Sequence, residues 1–242
     1  ERLMEKSPNN GCTELREALA VYLAAQRGIR VSPNQIVIGS GAEYLYGLIV
    51  RTLGRELCYG VEYPGYQRIE EVYLADGASV EELPLGKDGI DSKALWKSRA
   101  DVLHITPFRS FPTGVTATPA KKAEYLKWSI DRKTILIEDD VESEFTPLHK
   151  AEDTIFSLDG GGRVIYVNSF TKTIGPSVRV AYMLIPVNML SRVEEKVGFY
   201  SCPVPVLEQL IVAELIEGGE FERHINRVRR KNRMMKNGRE SL

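Results

Sequence analysis

Short apolar runs alternate with stretches of helical periodicity along most of this chain, and that alternation restricts the fold more than any other feature. Residues 35–38, 57–61, 79–83, 102–105, 134–137, 164–167 and 180–185 read as strands. Between them, residues 11–28 place Leu15, Ala18, Leu19, Tyr22 and Leu23 at helical spacing, with Gly28 as a stop. Residues 43–53 and 67–75 read as helices too, as does the stretch to Ile130 opened by Thr118 as cap and Pro119 as first helical residue. Further helices are expected over 188–197, over 206–217 and beyond Gly218-Gly219. Strands alternating with helices predict an α/β fold, a mostly parallel sheet covered on both faces. In such sheets ligands bind outside the carboxyl ends of the strands.

Composition removes several function classes. At 242 residues and 43% hydrophobic, the chain can bury a sizeable core in one large domain or two smaller ones. No run approaches the roughly eighteen apolar residues of a membrane span, and the opening Glu1-Arg2-Leu3-Met4-Glu5-Lys6 is too charged for a signal peptide, so a cytoplasmic location is expected. Cys12, Cys58 and Cys202 are scattered and odd in number, which suggests neither disulfides nor a zinc site. With 32 basic and 33 acidic residues the net charge is -1, so no global field draws nucleic acid. The basic positions from Arg223 to Lys236 spread over several helix faces and read as a solvated helix.

The polar residues at the predicted strand ends carry the chemistry. Gly39-Ser40-Gly41-Ala42 turns from a strand into a helix, a geometry that aims backbone N–H groups at an anion, although the lysine of a nucleotide-binding loop is missing. A long loop, Thr106 to Gly114, follows the strand that contains His104, itself read as a core histidine. Glu138-Asp139-Asp140 crowds three acids that need a cation or a protonated partner, and no neighbouring histidine completes a common metal-binding pattern. Tyr66, just past the Pro64-Gly65 turn, lies either at a cleft mouth or in plain packing. Ser169 to Arg179 is a polar loop between two apolar runs, with Lys172 seven residues before Arg179. An isolated lysine is usually a surface charge, but one walled by those runs would have its amine pKa lowered by desolvation, as a carbonyl-condensing nucleophile requires. A phosphate cradle, a carboxylate, a reactive lysine and a second cation on one rim are the parts that hold pyridoxal phosphate.

Three stretches give this reading a family. Thr106-Pro107 with Phe111-Pro112-Thr113-Gly114, the segment Ile137 to Phe145, and Ser169-Phe170-Thr171-Lys172-Thr173 with Pro176 and Arg179 resemble the large domain of fold-type I, class I/II aminotransferases. Within that superfamily they are most similar to the effector domains of MocR-type regulators of the GntR family, which join a winged-helix DNA-binding domain to an aminotransferase-like one. The resemblance runs from Gly11 to about Arg233. It implies a three-layer, doubly wound large domain over residues 1–200, with residues 201–242 as a helical transition into a truncated small domain. It further implies that Lys172 forms the internal aldimine and shuttles the proton, and that Asp139 pairs with the protonated pyridine nitrogen. Gly41, Ala42 and Glu43 would give backbone donors to the phosphate, Ser169, Thr171 and Arg179 side-chain contacts, and Tyr66 a stacking surface. A homodimer is implied as well, with DNA bound only through a winged-helix segment outside this sequence.

Two departures bear on activity. Aminotransferases usually carry asparagine where Phe111 stands and a tyrosine where Val141 or Glu142 stands, so both donors to the cofactor's phenolic oxygen are replaced. The leading expectation is therefore an amine-sensing effector domain of a transcription regulator, working by aldimine exchange at Lys172. A working class I/II aminotransferase is the alternative, and a dimerisation module that has lost the cofactor is a third reading.

Overall fold

The computed structural model describes residues 7–141, 143–145, 153–160 and 162–239. Its strands are β1 (Ile36–Gly39), β2 (Cys58–Tyr63), β3 (Ser79–Gly86), β4 (Gly89–Ile90), β5 (Val102–Ile105), β6 (Ile135–Asp139), β7 (Val164–Ser169) and β8 (Ala181–Leu184). Its helices are α1 (Thr13–Tyr22), α2 (Ala42–Leu53), α3 (Gln67–Ala75), α4 (Ser92–Lys97), α5 (Pro119–Arg132), α6 (Ile155–Asp159), α7 (Phe170–Thr173), α8 (Leu190–Val197), α9 (Val206–Glu217) and α10 (Glu220–Arg239). The sheet order is β1-β8-β7-β6-β5-β2-β3-β4.

Local chemistry explains the helix boundaries. α5 begins where the Thr118 hydroxyl accepts the Lys121 N–H and Pro119 occupies the first turn, as its sequence suggests. α1 runs on into a wider turn, Leu23–Arg27, and stops at Gly28, whose φ of 67° is left-handed and open to glycine without strain. Several short elements were not anticipated, α6 and α7 among them. α4 is a six-residue helix capped by Asp91, and β4 folds back on β3 through the Lys87-Asp88 turn. All are too short to show a periodicity.

Strand alternation sorts the core into two layers. Leu103, Leu136, Val164 and Leu184 face the side covered by α1, α4, α5, α6, α9 and the start of α10, which contribute Leu19, Leu95, Trp128, Phe156, Val212 and Phe221. Val102, Ile137, Ile165 and Met183 face the other side, closed by α2, α3 and α8 through Leu45, Ile49, Tyr73 and Val193. Each fully buried leucine or isoleucine here contributes about 1.5–3 kcal/mol by leaving water. The three-layer α/β arrangement expected from the sequence is the one observed.

The β2, β3, β5, β6 and β7 ladders are parallel, while β8 runs antiparallel to both β7 and β1. Residues 170–180 are too few to cross back over the sheet, so β8 returns as a hairpin partner of β7. Because β1 is antiparallel to β8, it points the same way as β7. The carboxyl ends of β1, β2, β5, β6 and β7 consequently lie along one edge of the sheet.

Candidate functional site

Register assembles that edge from distant segments. Ala181 is the partner of both Gly39 and Ser169, so the Gly39–Gly41 turn, the end of β7 and the start of β8 meet. Gly41 caps α2 with a φ of 107°, and the first N–H groups of that helix have no partner within it. A Cβ added at Gly41 would overlap the Arg179 guanidinium, so the glycine makes room for the arginine. Arg179 Nη2 meets Glu43 Oε2 at 3.1 Å. Ala42 and Glu43 form the first turn of α2, and its open N–H groups beside a guanidinium suit a phosphate. Ser169, at the end of β7, is 9% exposed, and Thr171 Oγ1 turns toward the Val178 carbonyl at 3.4 Å.

Lys172 corrects one expectation. It sits on the short helix α7 and is exposed, because the flanking runs 164–167 and 180–185 turn inward into the two core layers and leave the lysine outside them. The apolar flanks suggested a walled lysine, and the structure places it in the open instead.

The three acids at the end of β6 separate onto two faces. Glu138 accepts the Ile155 and Phe156 N–H groups at the start of α6, and burial with Asp140 nearby pushes its carboxyl up to about 7. Asp140 Oδ2 is 2.6 Å from Arg27 Nη2 and takes the Tyr166 hydroxyl at 2.7 Å. Arg27 is thus the cation that the acidic cluster required. Asp139 points the opposite way, into the layer of α2 and α3. Its Oδ2 accepts the Tyr46 hydroxyl and lies 3.6 Å from His104 Nε2, while its Oδ1 is buried without a hydrogen-bond partner.

His104 is buried, as expected, yet it is more than packing, since its Nδ1 is 2.6 Å from the Tyr73 hydroxyl. Sequence reasoning missed Tyr46 and His104 as neighbours of Asp139. The available signal was parity, for His104 pairs with Ile137 and Asp139 follows two residues later on the same face.

On the β2 side, Tyr66 is 43% exposed and meets Phe111 edge to face, ring centres 6.3 Å apart. Ser110 Oγ donates to Glu62 Oε2 at 2.6 Å and ties the loop after β5 to the end of β2. Burial raises the Glu62 carboxyl to about 7. Val141 is half-buried and Glu142 lies outside the described residues. Among the described residues, no group of three or more His, Cys, Asp or Glu side chains could hold a metal ion. No helix there is long and apolar enough to cross a membrane.

Residues 2–242 match the family described as aminotransferase class I and II. The chain is 31% identical over 217 residues to the uncharacterized HTH-type transcriptional regulator YdeL of Bacillus subtilis (strain 168), covering 90% of this chain and 47% of that protein. It is 29% identical over 225 residues to the probable rhizopine catabolism regulatory protein MocR of Rhizobium meliloti, covering 91% and 45%. Among solved structures it superposes on a kynurenine aminotransferase of Pyrococcus horikoshii, crystallised in complex with PMP, with a TM-score of 0.84 and 26% identity over 95% of this chain and 59% of that one. The chain spans about half the length of the curated relatives it matches.

Proposed function

The chain belongs to the aminotransferase class I and II family, and on that premise we propose that it is the pyridoxal-phosphate-binding effector domain of a MocR-type transcription regulator, responding to an amino compound. One observation carries the cofactor reading. Asp139 buries a carboxylate oxygen with no partner on the same sheet edge where Gly41 and Arg179 meet at the start of α2. An unpaired buried carboxylate oxygen costs free energy unless a donor arrives, and a protonated ring nitrogen is such a donor.

Bound there, pyridoxal phosphate supplies an aldehyde carbon that condenses with amines and a protonated ring that withdraws electrons. Lys172 is the residue that would hold the cofactor through Nζ. Lys172 is exposed on α7. Asp139 Oδ1 would accept the ring N–H and keep the ring charged. The backbone N–H groups of Gly41, Ala42 and Glu43 and the side chains of Ser169, Thr171 and Arg179 hold the phosphate. Tyr66, which meets the Phe111 ring edge to face, would cover the ring face.

Sensing is favoured over turnover by two side chains. Phe111 and Val141 carry no polar atom, so neither stabilises negative charge on the cofactor's phenolic oxygen as proton transfer proceeds. The relatives named as regulators support the same reading. In it the protein is a cytoplasmic homodimer whose DNA contacts are made by another part of the full-length protein. The second reading, a working aminotransferase, is favoured by the likeness to the kynurenine enzyme.

Rapid mixing of the cofactor-loaded chain with a panel of amino acids and amines separates the two. The sensor reading predicts a fast change of the visible band with little pyridoxamine phosphate released over many minutes. Stoichiometric pyridoxamine phosphate within seconds would establish the enzyme.

A further inference from the structure

Helix α2 carries the anion cradle at its start and, one turn further, Tyr46, which is 1% exposed. The Tyr46 hydroxyl donates to Asp139 Oδ2, and His104 Nε2 approaches the same oxygen at 3.6 Å. His104 is fixed in turn by Tyr73, whose hydroxyl lies 2.6 Å from Nδ1 and whose ring packs on Tyr59 with centres 4.6 Å apart. The Tyr46 ring meets His104 edge to face at 5.1 Å. Tyr46 makes the hydrogen bond to Oδ2, His104 Nε2 stays beyond hydrogen-bond distance, and Oδ1 is left without a partner, although buried polar atoms are ordinarily paired.

Resting on the cofactor reading above, we infer that Tyr46, backed by His104, is a positioning residue that locks the Asp139 carboxylate with Oδ1 presented to a protonated ring nitrogen. The phenol suits this task because it donates without adding charge. Burial and the adjacent carboxylate hold its pKa well above that of an ordinary tyrosine, so it remains a donor throughout the physiological range. Its place on α2 also couples the two ends of the cofactor, since the helix that offers N–H groups to the phosphate sets the carboxylate facing the ring. Nothing in the contact geometry requires Tyr46 to touch the cofactor itself.

The test compares pyridoxal phosphate with its deaza analogue, in which a C–H replaces the ring nitrogen. Dissociation constants are measured by fluorescence titration for the unmodified chain, Tyr46→Phe, Asp139→Asn and the double variant. Loss of a hydrogen bond to a charged group predicts that Tyr46→Phe weakens pyridoxal phosphate roughly tenfold. Binding of the deaza analogue should be unchanged, and in the Asp139→Asn background the second substitution should add nothing. Equal losses for both ligands, additive losses, or no loss for pyridoxal phosphate would overturn the assignment. If the unmodified chain binds neither ligand, the cofactor reading fails and this inference with it. Should Tyr46→Phe not fold, His104→Gln is scored the same way, with the same selective loss expected and an unselective loss counting against the pair.

Discussion

Arg179 Nη2 lies 3.1 Å from Glu43 Oε2, so the cation placed to hold a phosphate already has a counter-ion on the first turn of α2. The two side chains are 50% and 37% exposed, and a pair that open to water contributes little to folding. Its consequence falls on ligand binding, because an incoming phosphate must displace or share the guanidinium with a carboxylate.

Removing each partner should therefore shift affinity in opposite directions. Arg179→Ala is expected to weaken pyridoxal phosphate roughly tenfold to a hundredfold, the worth of a charge-assisted hydrogen bond to phosphate. Glu43→Gln keeps the backbone N–H and removes the competing charge, so affinity should rise by about threefold or more. Melting temperatures without cofactor should barely move in either variant. A loss of affinity in Glu43→Gln would mean that the carboxylate orients the arginine and does not compete for it.

The neighbouring acids Asp139 and Asp140 predict contrasting phenotypes. Asp140 is paired with Arg27 inside the protein, their side chains 4% and 1% exposed. Breaking such a pair from one side strands a buried charge and costs about 3–5 kcal/mol. Arg27→Met should show that loss in urea unfolding, whereas Asp139→Asn should keep most of its stability and lose cofactor affinity. Equal stability of Arg27→Met and the unmodified chain would contradict the assignment of Arg27 as the compensating cation.

Much of this is legible in the sequence. Periodicity located α2, α3 and α9, and the Thr118-Pro119 pair gave the start of α5, because these signals are local. Convergence at the carboxyl edge also followed from strand alternation alone. What stayed hidden depends on pairings distant in sequence. Tyr46 meets Asp139 across 93 residues and Arg27 meets Asp140 across 113, and no periodicity encodes either contact. The exposure of Lys172 was misjudged for a related reason. Apolar flanks say that a loop adjoins the core, but not which way its side chains turn.

Glu62 should make stability fall as pH rises. Its carboxyl is raised to about 7 by burial, so the folded state holds a proton that the unfolded chain has released. The neutral form's advantage is fully present below the usual carboxylate range and is lost progressively from there up to about pH 7. A shift of this size corresponds to on the order of 3 kcal/mol. Glu62→Gln removes the ionisation, and its stability between pH 5 and pH 8 should be flatter than that of the unmodified chain by that amount. Unchanged pH dependence in the variant would show that another group, such as Glu138, governs the transition.

The central claim is that the cofactor attaches to Lys172 on the edge shared by Asp139, Gly41 and Arg179. Borohydride reduction of the chain incubated with pyridoxal phosphate, followed by peptide mass spectrometry, tests it most directly. The predicted result is one pyridoxyl adduct, on Lys172, with saturation tracking the visible band and with none formed in Lys172→Ala. An adduct on another lysine, or none at saturating cofactor, would contradict the account.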